Sequence, residues 1–319
     1  MKLSAAGCTL VVVACVVGGV ACTSDPRPLP VVPEAAPKAD QASLAAAASD
    51  WSYAGANGPE QWAKLKPEWS GCAAPGQSPI DLPLAALTPE KKPAAPAAPA
   101  PGAPAAPKDP LAGVKVAPNF KPLALQATSD GQQLRLDGDG VQGLSIDGRQ
   151  APLVAVDLHA PAEHKLGGVS PSLELVLWLK DTKLGSVALS ILFRSGAENA
   201  SLAPLITNLP ALGVYHRKPL KAELALPALV PAGATLFAYS GTLSTPPCSA
   251  GVTRLVLATM LELSPAQLEA LGKALPSGAR PVQPLTDRVV TTVTLQPSPS
   301  PAPPAGTSAG AGASAVKKP

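Results

Sequence analysis

Histidine is scarce in this chain, with 3 in 319 residues: His159, His164 and His216. Aromatic residues make up 3% of the sequence, too few for the stacking platforms on which nucleic-acid bases are held. Charged residues are also sparse, at 15% with a net charge of +3. No broad basic field exists to attract a polyanion, and the terminal Lys317 and Lys318 do not create one. A nucleic-acid partner is therefore not expected. Of the 5 cysteines, Cys8, Cys15 and Cys22 lie close to the N-terminus, which leaves Cys72 and Cys248 for the body of the chain. What the chain has in excess is proline, 40 residues, with 27 glycines. Both cluster, so a sizeable part of the length is not expected to form packed core.

The N-terminus reads as an export signal. Met1 and Lys2 are followed by "LSAAGCTLVVVACVVGGVAC", apolar or small throughout, the pattern of a secretory segment. An uncleaved membrane anchor is the alternative, since the run is marginally long enough to span. The stretch "GGVAC" before "TSDP" resembles a bacterial lipoprotein cleavage site, with residues 1–21 as signal peptide and Cys22 as the lipidated residue. "VVAC", ending at Cys15, fits the local pattern but leaves a short apolar region. The expectation is an exported protein held to a bacterial envelope membrane by a lipid on Cys22, facing the periplasm or the exterior. Residues 22–50 have the Pro/Ala-rich composition of a tether. Residues 88–113 read as a Pro/Ala-rich insertion of polyproline character within the folded body. The body is expected to span 51–292, with 293–319 as a disordered tail. An even pair of cysteines in an exported protein suggests a disulfide, two buried free thiols being the alternative.

Most of the body has the period of strands. "QQLRLDG", "GLSIDG", "PLVAVDLHA", "SLELVLWLKD" and "SVALSILFR" are short, rich in Val, Leu and Ile, and separated by turn residues. One clear helix is expected over 264–275, where Ser264 caps a run carrying Leu268, Leu271 and Leu275. These signals predict a mainly β fold: one large, mostly antiparallel sheet with few short helices.

Five blocks then resemble the alpha-carbonic anhydrases, in that family's chain order. They are "WSYAGANGPEQWAKLKPEWSGCAAPGQSPIDLP" (51–83), "HAPAEH" (159–164), "FRSGAENA" (193–200), "YSGTLSTPPCSAGV" (239–252) and "RPVQPL" (280–285). The resemblance implies a single alpha-carbonic-anhydrase-like domain. It also implies a Cys72–Cys248 disulfide, because bacterial members join the cysteines of the first and fourth blocks.

Fold alone does not confer chemistry. The resemblance places zinc on three histidines, two from one strand and one from its neighbour, with a fourth position open to water. Here those positions hold Asp157, His159 and Val176. Period-two alternation supports the register. Residues 153, 155, 157 and 159 should share one face. On the next strand Leu173, Leu175, Leu177 and Leu179 should face the core, while Glu174, Val176 and Trp178 face the site. Valine has no lone pair, so one histidine and one aspartate remain. No metal, cofactor or catalytic residue is expected, and zinc only under the alternative that the chain is an active or weakly active carbonic anhydrase.

Other positions change in the same direction. The family's proton-shuttle histidine is matched by Gln132, and an amide cannot carry a proton near neutral pH. Trp178 stands where the family has a small aliphatic pocket residue, and Arg254 where it has a pocket tryptophan. Glu163, Ser244 and Thr245 remain as supporting positions, with His164 behind them and Leu243 in the pocket. His216 lies in a polar segment and should face solvent. With zinc gone, Asp157 needs a counter-charge; Arg254 could supply it through its planar fork, the alternative being that Arg254 reaches water and Asp157 is solvated. The functional expectation is a non-catalytic carbonic anhydrase-like envelope lipoprotein, a binding or structural module for an unidentified protein or ligand.

Overall fold

Alternation of leucine with other side chains from Leu173 to Asp181 builds the centre of the fold. Leu173, Leu175, Leu177 and Leu179 turn to one side of the sheet and join its main apolar cluster. The computed structural model describes residues 50–87 and 111–297, all within one compact unit. Its strands are β1 (Asp81–Leu82), β2 (Val116–Asn119), β3 (Leu123–Asp130), β4 (Leu134–Asp137), β5 (Gly143–Ile146), β6 (Arg149–His159) and β7 (Lys165–Leu166). They continue with β8 (Leu173–Asp181), β9 (Gly185–Ser195), β10 (Val214–Leu224), β11 (Thr235–Thr242), β12 (Ala250–Leu257), β13 (Leu261–Leu263) and β14 (Thr291–Thr294).

Twelve of these form one sheet, ordered β10-β3-β4-β6-β8-β9-β12-β11-β14 along its main path, with β5 on β6, β2 on β5 and β13 on β9. Pairing within it is antiparallel except where β12 and β13 lie parallel to β9. The mostly antiparallel sheet read from the sequence is the sheet that forms. The central strands β6, β8 and β9 are buried on both faces over most of their length. Burying one leucine contributes about 1.5–3 kcal/mol, so the cluster on one face holds the sheet in register. The other face carries the site and a smaller cluster that includes Ile80, Leu192, Phe237, Tyr239 and Val256.

The helix expected over 264–275 forms as Pro265–Ala274, with Ser264 and Gln267 completing a reciprocal capping box. Cys72 and Cys248 are joined in a disulfide across 176 residues of sequence. Closing so long a loop stabilises by about 5 kcal/mol in the chain-entropy picture. The bond ties the N-terminal segment to the loop after β11. No helix among the described residues is long and apolar enough to cross a membrane.

One strand-face assignment and two boundaries differ from the sequence reading. Leu153 does not share a face with Asp157: the β6–β8 register shifts between Leu153 and Ala155, and Leu153 enters the core beside Val156 and Leu158. An extra residue in one strand inverts alternation beyond it. Leu111, assigned to the 88–113 insertion, is buried in the main cluster. The sheet also runs past residue 292, since β14 ends at Thr294 and Leu295 is buried against the core. In both places an apolar residue beside a proline-rich run anchors the chain. The signal peptide 1–21, the tether through residue 49, and residues 88–110 and 298–319 lie outside the described residues, as does Cys22.

Candidate functional site

Two rows of directly opposed residues cross the sheet and set the site. The first runs Arg135–Asp157–Val176–Ser190 over β4, β6, β8 and β9. The second runs Ala155–Trp178–Ala188–Arg254–Tyr239 over β6, β8, β9, β12 and β11. Val176 and Trp178 do face away from the leucines, as alternation predicts. Val176 packs with Ala188, Val252, Trp178 and Leu243 in a small apolar cluster of its own.

Asp157 is buried, at 2% exposure. Arg135 Nε donates to its Oδ1 and Arg135 Nη2 to its Oδ2, both at 2.6 Å. The indole Nε1 of Trp178 donates to Oδ2 at 2.7 Å. This two-point geometry is the strong form of a carboxylate–guanidinium contact, and the carboxylate raises the Arg135 pKa through that hydrogen bond against the opposing effect of burial. Asp157 is thus neither paired with Arg254 nor solvated: Arg135 is its counter-charge. Arg254 is fully buried. Its Nε and Nη2 donate to the Thr242 carbonyl at 3.1 and 2.5 Å, and its Nη1 has no partner among the described residues. Its guanidinium carbon lies 5.1 Å from the centre of the Trp178 ring, within cation–π range. Trp178 therefore joins both groups, by its N–H to Asp157 and by its face to Arg254 across the small Ala188.

Behind His159 lies a carboxylate pair. Glu163 Oε1 is 3.9 Å from His159 Nδ1, and Glu163 Oε2 has no partner among the described residues. Glu174, opposite His159 in the β6–β8 register, accepts from the backbone N–H of Glu163 and of His164 and contacts His164 Nδ1 at 2.7 Å. Burial pushes the Glu174 pKa up, but the His164 ring and these hydrogen bonds outweigh it and hold the carboxyl well below the ordinary range. His164 Nε2 in turn lies 2.7 Å from Tyr239 Oη, whose pKa burial raises to about 12. His164 is a structural bridge between β8 and β11.

A cavity of about 390 Å³ opens above Asp157. His159, Trp178, Leu243, Ser244 and Thr245 line it. Gln132 does not line it. Gln132 occupies the β3–β4 turn with its N–H on Asp130, and its neighbour Gln133 faces the cavity instead. Arg254 and Glu163 sit behind the lining. His216 is exposed on the edge strand β10. Sequence reading missed Arg135 and Lys180, both cavity residues. The signal for Arg135 was present: "LRL" places it between two core leucines, on the site face.

These side chains do not fit a tetrahedral zinc. Such a site needs three protein donors beside a water. His159 supplies one. Asp157 has both oxygens engaged by Arg135 and Trp178, and Val176 supplies none. Among the described residues, no three His, Cys, Asp or Glu side chains are grouped to hold a metal.

The twelve-stranded sheet and this cleft define a known class. The model of the eukaryotic-type carbonic anhydrase family matches residues 161–294. A Klebsiella pneumoniae carbonic anhydrase is 33% identical over 245 residues, 76% of this chain and 91% of the relative. The alpha-carbonic anhydrase of Thermovibrio ammonificans, solved with sulfanilamide, superposes with a TM-score of 0.62 at 31% identity, over 76% of this chain and 98% of that one. Dioscorin in complex with ascorbate superposes with a TM-score of 0.61 at 25% identity, covering 77% and 98%. The chain belongs to the alpha-carbonic anhydrase family.

Proposed function

We propose that this family member does not hydrate carbon dioxide through a zinc-bound water. It serves instead as a binding or structural module, exported and carried on a lipid at Cys22 at a bacterial envelope membrane. The observation that carries this reading is the state of Asp157. Its carboxylate is satisfied by Arg135 and Trp178, and Val176 stands beside it at the third ligand position. A buried charge already paired and hydrogen-bonded loses those contacts if it turns to a metal. Trp178 further occupies the place of a small pocket residue. That a similar fold has been solved with ascorbate, in dioscorin, supports a binding role on this scaffold.

The alternative is an active or weakly active carbonic anhydrase, favoured by His159, Ser244 and Thr245 lining one cavity and by relatives that carry the enzyme's name. Stopped-flow carbon dioxide hydration decides between them. The proposal expects a rate indistinguishable from buffer, with zinc added or not. Zinc-dependent turnover blocked by a sulfonamide would establish the enzyme. Labelled palmitate incorporated by the full chain and lost in Cys22→Ser is the expected result for the anchor, and labelling that survives the substitution would reject Cys22.

A further inference from the structure

The cavity above Asp157 has an unequal supply of hydrogen-bonding groups. Asp157 is its one carboxylate, and both oxygens are already taken. What remains facing the space is mostly donor. Arg135 has spent Nε and Nη2 on Asp157, and its Nη1 has no partner among the described residues. Lys180 is exposed, and its side chain makes no ion pair or hydrogen bond among them. The hydroxyls of Ser186, Ser244 and Thr245 also line the space without side-chain partners. Lys180 lies directly opposite Ser186 in the β8–β9 register, and alternation puts it on the same face as Val176 and Trp178. Two cations thus stand against one carboxylate around the cavity. His159 and Gln133 add two more polar groups to the lining, and its apolar part is Trp178, Leu243, Leu179, Val154 and Ala155.

We propose that this cavity binds a small organic acid, with its carboxylate at the Lys180–Arg135 rim and its apolar body against Trp178 and Leu243. This rests on the zinc-free reading above, because the anion is held by side chains and not by a metal. The volume of about 390 Å³ falls within the range of small-ligand pockets, roughly 300–1,000 Å³. A charge-assisted hydrogen bond from lysine or arginine is the stronger kind. An anion without an apolar body would leave the Trp178–Leu243 surface wet. An uncharged ligand would leave Lys180 without a counter-charge.

The test is calorimetric titration of the full chain, stripped with EDTA, using benzoate as probe, with benzamide and inorganic phosphate as comparisons. Benzoate is expected to bind at millimolar concentration or below, and both comparison ligands at least about tenfold more weakly. Lys180→Gln, at an exposed position the fold does not need, should weaken benzoate about tenfold. In a spectrum of ¹⁵N-labelled protein the Trp178 indole N–H resonance should shift on titration. Equal binding of benzamide, an unchanged affinity in Lys180→Gln, or no binding of benzoate with or without added zinc overturns the site while leaving the zinc-free reading intact. Binding of benzoate that appears only after zinc is added overturns both.

Discussion

Arg135 and Asp157 face one another across β4 and β6, joined by two hydrogen bonds of 2.6 Å. A guanidinium thus sets a positive charge against the carboxylate of Asp157 in this cleft. The Asp157 side chain is 3% exposed and that of Arg135 48%, so the pair is buried at one end and wet at the other. Removing the arginine leaves a buried carboxylate with the Trp178 N–H as its remaining partner. Breaking a fully buried pair costs about 3–5 kcal/mol, and solvent at the arginine end reduces this to about 1–3 kcal/mol. Urea denaturation of Arg135→Ala should show that loss. The double variant Arg135→Ala/Asp157→Asn should recover part of it, because a neutral amide is cheaper to bury. Independent, additive effects of the two substitutions would show that the pair contributes nothing.

Trp178 and Arg254 close the space on either side of Ala188. Restoring ligands by Asp157→His and Val176→His alone puts two imidazoles against the Trp178 indole, whose N–H reaches the Asp157 side chain at 2.7 Å. The account expects stoichiometric zinc only when Trp178→Val is added to the pair, read by metal analysis after dialysis. A triple variant that folds by circular dichroism and still takes no zinc would contradict the placement of the ligand positions.

Glu174 predicts an acid-sensitive term in stability. Its carboxyl holds a proton less tightly folded than unfolded, so unfolding takes up a proton once the pH falls below the ordinary value of 4.5. The stabilisation is complete above that pH and is lost progressively below it. In Glu174→Gln the unfolding free energy should therefore fall less steeply between pH 5 and 3 than in the unaltered protein. At neutral pH the variant should be less stable by about 1–3 kcal/mol, through the weakened contacts to His164 and the two backbone N–H groups. Parallel slopes in acid urea titrations would assign the acid sensitivity to other carboxylates.

The fold was legible because its signals are local and repeated. The leucine alternation of β8 and the Ser264 cap each name an element without reference to the rest of the chain. The site was legible as far as strand period carries: Asp157, His159, Val176 and Trp178 all point where alternation puts them. What failed was pairing between strands. Arg254 and Arg135 both flank the cleft in sequence terms. Which one reaches Asp157 depends on the β4–β6 register, and Ala188 and Trp178 intervene on the other side. The bulge at Leu153 was hidden for a similar reason. An inserted residue shows itself against the partner strand, and "PLVAV" alone reads as unbroken alternation.

Zinc occupancy of the cleft separates the proposed binding module from an enzyme. The direct measurement is zinc content by inductively coupled plasma mass spectrometry, on the full chain equilibrated with excess zinc and dialysed. The account predicts far less than one zinc per chain, unchanged by His159→Ala. One zinc per chain, lost in His159→Ala, would contradict it.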